Sequence, residues 1–174
     1  VSPSLPTIPL FTLAGFLLAE GKASVRLLKV FQACFGWMPG GLAVVATLVC
    51  AFFTTFTGAS GVTILALGGL LMPMLIQSGY REKFSLGLLT SSGSVGLLLP
   101  PSLPVILYGV VAHVPIPDLF RAGLIPGLLL VASVAALGLW EARKAKVTRI
   151  PFHSKEALVA LWEAKWELGL PVVA

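Results

Sequence analysis

Apolar residues fill this chain in long blocks, and small or polar residues interrupt those blocks at a few defined places. No Asp, Glu, Lys or Arg occurs from Val30 to Tyr80, nor from Phe84 to Pro117. Each run exceeds the ~20 residues that cross a bilayer core once. The pattern predicts an all-α integral membrane protein in seven consecutive segments. These are a transmembrane helix at 1–20, an interfacial amphipathic arm at 21–41, a re-entrant hairpin at 42–77 and a discontinuous transmembrane helix at 82–113. A conventional span follows at 117–141, then a cytoplasmic loop with an interfacial arm helix at 142–170, and the start of another span at 171–174.

Two breaks organise this layout. The first is Thr57-Gly58-Ala59-Ser60-Gly61-Val62-Thr63, and the second runs from Ser91-Ser92-Gly93 through Pro100-Pro101-Ser102. Lipid tolerates irregular backbone only where protein or a watery cavity covers it, because an unpaired N–H or C=O costs several kcal/mol there. The first break leaves two arms of about 15 residues, short for a ~30 Å core, so 42–77 is expected to turn back with its tip at 58–61. In the second, Pro100 and Pro101 remove backbone donors, Pro101 disfavours helix at its predecessor, and Gly93 and Gly96 permit unusual dihedrals. The outcome expected is a helix in two halves whose ends meet near mid-membrane.

Composition agrees, with 57% hydrophobic and 11% charged residues and a mean hydropathy of +0.97. Lys22, Arg26 and Lys29 border one amphipathic stretch, and Lys155, Glu156, Glu163, Lys165 and Glu167 border another at 154–168. Of the 12 basic residues, all but Arg121 fall on one side of this topology, which marks that side as cytoplasmic. The net charge of +5 is thus a positive-inside signal and calls for no nucleic acid. Trp37, Trp140, Trp162 and Trp166 fit an aromatic belt. Cys34 and Cys50 lack metal-ligand spacing and are expected to be small buried hydrophobes. The chain opens at Val1 and stops at Pro171-Val172-Val173-Ala174, so it is expected to be part of a longer protein, and 5–19 is read as a span rather than a signal peptide.

The chemistry available at the breaks is oxygen chemistry. Neither break carries an acid or a base, which disfavours proton coupling here. The hydroxyls of Thr57, Ser60, Thr63, Ser91, Ser92, Ser94 and Ser102, with carbonyls freed where helices unwind, suit a hard cation such as Na⁺ at half-helix C-termini. Half-helix N-termini suit an anionic group. The plainer reading of such residues is close packing or back-bonding to their own helix, and Gly68-Gly69, Gly123 and Gly127 are read as packing glycines.

A set of motifs in order resembles one family. It comprises Ile8-Pro9-Leu10-Phe11 through Ala19-Glu20-Gly21, then Pro39-Gly40-Gly41-Leu42-Ala43, then the tip from Thr57 to Thr63. It continues with Ser91-Ser92-Gly93-Ser94-Val95-Gly96 through Pro100-Pro101-Ser102-Leu103-Pro104, Tyr108-Gly109, and Ala122-Gly123-Leu124-Ile125-Pro126-Gly127. Together they resemble the first half of the large membrane (M) subunit of tripartite ATP-independent periplasmic (TRAP) transporters. The resemblance implies an elevator fold of the ion transporter superfamily, of which this chain would hold one of two inverted repeats, in the inner membrane of a bacterium. It implies Na⁺-coupled uptake of organic acids, such as sialic acid or dicarboxylates, with a small membrane (Q) subunit and a periplasmic solute-binding (P) protein. Carried over, Gly58, Ser60, Thr63, Ser91, Ser92, Gly93, Gly96 and Pro100 would hold Na⁺, largely through backbone. Ser60, Thr63, Ser92, Pro101 and Ser102 would face the substrate. A common form of the tip is Ser-Gly-Ser-Ser, whereas here Thr57, Ala59 and Gly61 intervene, so backbone coordination must dominate. Without the second repeat this stretch alone is not expected to transport.

A second reading takes Gly58-Ala59-Ser60-Gly61 as Gly-x-Ser-Gly and pairs Ser60 with His113, which resembles the serine and histidine of an intramembrane rhomboid protease. The break at Pro100-Pro101 has no role in that scheme.

Overall fold

The computed structural model describes residue 13, residues 23–38 and residues 40–145. The expected helix at 1–20, the arm helix at 154–168 and the start of a span at 171–174 lie outside the described residues, Leu13 apart. Among the described residues every regular element is helical: α1 (Ala23–Phe35), α2 (Gly41–Thr57), α3 (Ser60–Gln77), α4 (Glu82–Val95) with a 3₁₀ turn at Gly96–Leu98, α5 (Leu103–Ala112) and α6 (Ile116–Ala145).

The order of burial follows from how apolar each helix is. α2 has neither a charged residue nor a polar face, and fourteen of its seventeen residues are buried, so it forms the centre. α3 buries only Thr63, Leu67, Leu71 and Leu75, one stripe at four-residue spacing, and lies outside it. α1 turns Leu27, Leu28 and Val30 inward and leaves Arg26 and Lys29 exposed, as an amphipathic arm should. The core joins Leu27 and Leu28 of α1 and Leu67, Leu71 and Leu75 of α3 to Val45, Val49 and Phe53 of α2 and to Leu88 and Leu89 of α4. Where α6 crosses α2, a Cβ on Gly138 would lie 2.6 Å from that of Ala43, so the crossing depends on the missing side chain.

The arms of the first break are longer than the 15 residues expected. α2 and α3 run to 17 and 18 residues because Thr57 and Ser60 remain helical and only Gly58-Ala59 turn the chain. Ser60–Gln77 is therefore long and apolar enough to cross a membrane, as is Ile116–Ala145, and α4 with its turn and α5 form a third, bent candidate at 41°. α6 starts earlier and ends later than 117–141; at 1.5 Å per residue its 30 residues run about 45 Å, longer than the ~30 Å core. Asp118 in its first turn and Arg143 and Lys144 in its last complement the helix dipole.

Near the ends of α4 and α6, Arg81 pairs through both Nε and a terminal nitrogen with one oxygen of Glu141, a carboxylate whose side chain is 5% exposed. The Tyr80 hydroxyl donates to the Gly40 carbonyl at 3.3 Å. Burial pushes that phenol up to about 12, against a backbone hydrogen bond from Ala43 that lowers it, so Tyr80 remains a donor. Of the expected aromatic belt, Trp37 and Trp140 are exposed, with Lys144 Nζ 3.6 Å above the Trp140 ring; Trp162 and Trp166 lie outside the described residues.

Candidate site at the meeting of two helix breaks

The second break packs against the tip and the end of α2 at three points, each marked by a glycine. Gly58 ends α2 in the left-handed region (φ 63°), and a Cβ there would lie 2.6 Å from the Cβ of Leu103 at the start of α5. A Cβ on Gly93 would lie 2.9 Å from the Ile64 side chain and 3.6 Å from the Ser60 carbonyl oxygen. A Cβ on Gly96 would lie 2.3 Å from the Ala51 carbonyl oxygen and 2.7 Å from the Thr54 Cβ. The end of one helix and the start of another at the tip thus face the same pair of ends at the second break. We expect Gly58→Ala to lower the stability of the full-length protein by about 2–3 kcal/mol, from left-handed strain plus the Leu103 contact. Unaltered thermal unfolding in detergent would show that this packing is loose.

The second break is shorter than its small residues predict. Ser91, Ser92, Gly93, Ser94 and Val95 all stay in α4, where Ser91 and Ser94 bond back to the carbonyls of Gly87 and Thr90 four residues earlier, as hydroxyls within a helix do. Helix is lost only at Leu99–Ser102, around Pro100 and Pro101, whose peptide bond is cis. Both prolines lack the N–H that would continue the ladder. Ser102 is fully buried and donates to the Leu97 carbonyl, closing the irregular loop.

Below the tip, three buried threonines connect. Thr54 Oγ1 donates to Thr63 Oγ1 at 2.8 Å, and Thr57 Oγ1 stands 3.2 Å from Thr63 Oγ1. Thr63 and Thr57 can each donate to the Ala59 carbonyl at 3.4 Å, which also accepts the Thr63 N–H at 3.3 Å. Beside them, Thr55 Oγ1 lies 2.8 Å from the Ala51 carbonyl and 3.3 Å from that of Gly96, and about two turns further down α2 Ser92 Oγ lies 3.4 Å from Thr47 Oγ1. At the C-terminal end of α2, the carbonyls of Thr55, Phe56, Thr57 and Gly58 take no backbone N–H among the described residues.

The expected site residues therefore separate. Gly58, Ser60, Thr63, Gly93 and Gly96 come together where the breaks meet, Ser102 lies buried beside Leu103, which abuts the tip, and Ser92 sits deeper, against Thr47 of α2. Ser91 and Ser94 are exposed on α4 and bond to their own helix. Pro101 is half-buried beside Ser102. Pro100 lines an apolar cavity of about 220 Å³ with Phe31, Phe52, Phe56 and Leu128 rather than a polar cleft. Of the glycines read as packing, Gly123 and Gly127 receive Leu98 and Leu99 of the break, while a Cβ at Gly68 or Gly69 would meet nothing within 4 Å. Ser60 and His113 are not joined: Leu103 abuts the tip, whereas exposed His113 caps the far end of the ten-residue α5, about 15 Å along the axis. Sequence reasoning missed Thr54 and Thr55, which sit in an unbroken helical run, and the pairing of Arg81 with Glu141.

The family model of the tripartite ATP-independent periplasmic transporter, DctM component, matches residues 2–174. The isethionate TRAP transporter permease protein DctMQ of Oleidesulfovibrio alaskensis is 36% identical over 95% of this chain and 26% of its own length. The C4-dicarboxylate large permease DctM of Vibrio cholerae is 32% identical over 98% of this chain and 38% of its own. The ectoine/5-hydroxyectoine large permease UehC of Ruegeria pomeroyi is 33% identical over 98% and 40%. The chain spans between a quarter and two fifths of the length of these relatives, and with the family model matching nearly every residue it belongs to the DctM component family of tripartite ATP-independent periplasmic transporters.

Proposed function

We propose that this chain is the part of a secondary transporter that carries one ion site and one wall of a substrate cleft, in a protein that takes up small organic acids with Na⁺ across the bacterial inner membrane. The observation that carries this reading is the contact of the two breaks, Gly58 on Leu103 and Gly96 on Ala51 and Thr54. Packing glycines alone would not assemble four helix ends and a buried hydroxyl chain at one place. The donor set there is hydroxyl and carbonyl oxygen with no nitrogen, sulfur or fixed charge, which fits a hard monovalent cation at the end of α2. Pro101 and Ser102 lead into α5, whose first N–H groups favour an anion, and in this reading they form the substrate side together with Ser60 and Thr63 of α3 and Ser92 of α4. Pro100 and Ser91, by their placement, contribute less to that site than the tip does.

In this reading α2 and α3 are a re-entrant hairpin, and the hairpin with the broken helix α4–α5 forms the moving body of an elevator, braced by α1. A periplasmic binding protein delivers the acid, a small membrane subunit completes the scaffold, and coupling arises because the ion favours the substrate-competent arrangement of the tip. Isethionate and C4-dicarboxylate, named for the relatives, support organic acids as the first cargoes to try, and ectoine belongs in the same trial panel. In the full-length transporter, Ser60→Ala or Ser92→Ala is expected to raise the Na⁺ concentration for half-maximal uptake about two- to tenfold, the worth of one hydrogen-bonding or liganding oxygen. Unchanged Na⁺ dependence in both would remove the site. The protease reading has no geometric support, since Ser60 and His113 share no hydrogen bond.

A further inference from the structure

The Thr54 side chain touches both breaks. It is fully buried. Its hydroxyl donates to Thr63 Oγ1 at 2.8 Å, its carbonyl accepts the Gly58 N–H at 2.8 Å, and its Cβ fills the space that a side chain on Gly96 would need. A threonine hydroxyl has a single proton to give. Because Thr54 spends its proton on Thr63, the proton of Thr63 points onward, to Thr57 Oγ1 at 3.2 Å or the Ala59 carbonyl at 3.4 Å. The direction of the chain therefore runs from the core of α2 outward to the tip.

We propose that Thr54 is a positioning residue for the coupling-ion site. It contacts neither ion nor substrate, and its proton sets the direction of the hydroxyl chain that holds the tip oxygens of Thr57, Ala59 and Thr63 against the broken helix. The inference rests on reading the two breaks as the Na⁺ site. Replacing the hydroxyl leaves Thr63 one donor short and frees the tip to reorient, so ion binding must supply the ordering that Thr54 supplied.

The test titrates Na⁺ in proteoliposome uptake by the full-length transporter with its small subunit and binding protein, and in parallel measures the Na⁺-dependent rise in melting temperature of the purified protein. Thr54→Val is expected to raise the half-saturating Na⁺ concentration about two- to tenfold with little change in maximal rate, and Thr54→Ser to stay within about twofold of wild type. Thr54→Ala removes the same proton without a second methyl beside Gly96, and it carries the same expectation if the valine variant fails to assemble. A fall in maximal rate or melting temperature at unchanged half-saturating Na⁺ would overturn the proposal in favour of simple packing. So would a serine variant shifted as far as the valine one. Na⁺-indifferent uptake by the unmutated protein would instead overturn the ion-site reading itself, and the inference with it.

Discussion

Gly96→Ala in the full-length transporter is expected to abolish uptake and to lower stability by about 3 kcal/mol or more. The added methyl would fall 2.3 Å from the Ala51 carbonyl oxygen and 2.7 Å from the Thr54 Cβ. Overpacking usually costs about 1–3 kcal/mol because flexible side chains give way. Here the first obstacle is backbone of the central helix, and the second is the residue that orders the tip. α4 would have to withdraw from α2, which also parts Thr55 from the Gly96 carbonyl and Ser92 from Thr47. Thermal unfolding in detergent and uptake in proteoliposomes report the two losses. An alanine variant with wild-type melting and wild-type Na⁺ dependence would mean that the breaks are not packed as described.

Arg81→Met is expected to destabilise the protein by about 3 kcal/mol, and Glu141→Met by about 1 kcal/mol. The difference follows from exposure: the Arg81 side chain is 73% exposed and that of Glu141 only 5%. Losing the arginine strands a buried carboxylate, for which about 3–5 kcal/mol is usual; the low end applies because water reaches this pair from the arginine side. Losing the glutamate leaves an arginine that can turn to solvent. The double variant should then resemble Glu141→Met alone, since it strands no charge. Melting of the two single variants and the double separates these cases, and two equal small effects would show that the pair contributes as a surface pair does.

Much of the architecture is legible in the sequence because its signals are local. Uncharged runs mark the apolar helices, Gly58-Ala59 marks a turn, and Pro100-Pro101 marks a place where helix must stop. Exact lengths were less legible. Serines and threonines at the breaks look like disruption, yet Ser91 and Ser94 bond back within α4 and Thr57 and Ser60 stay helical. The site was legible as two clusters and not as a contact. Which glycine meets which backbone depends on helix crossing, so the role of Gly96 against Ala51 has no trace in local sequence. Thr54 and Thr55 were hidden for the same reason: within an apolar helix a threonine reads as filler until the partner across the seam is known. The Arg81–Glu141 pair joins positions sixty residues apart, and the charge pattern revealed only that both lie near the basic side.

If the proposed reading holds, these two breaks together bind a coupling ion for a carried acid. The most direct measurement is uptake of labelled sialic acid, C4-dicarboxylates, isethionate and ectoine into proteoliposomes holding the full-length protein and its small subunit, with and without the binding protein and an inward Na⁺ gradient. Uptake of at least one organic acid is expected to require both the binding protein and Na⁺. Uptake that proceeds equally well without Na⁺ would contradict that reading.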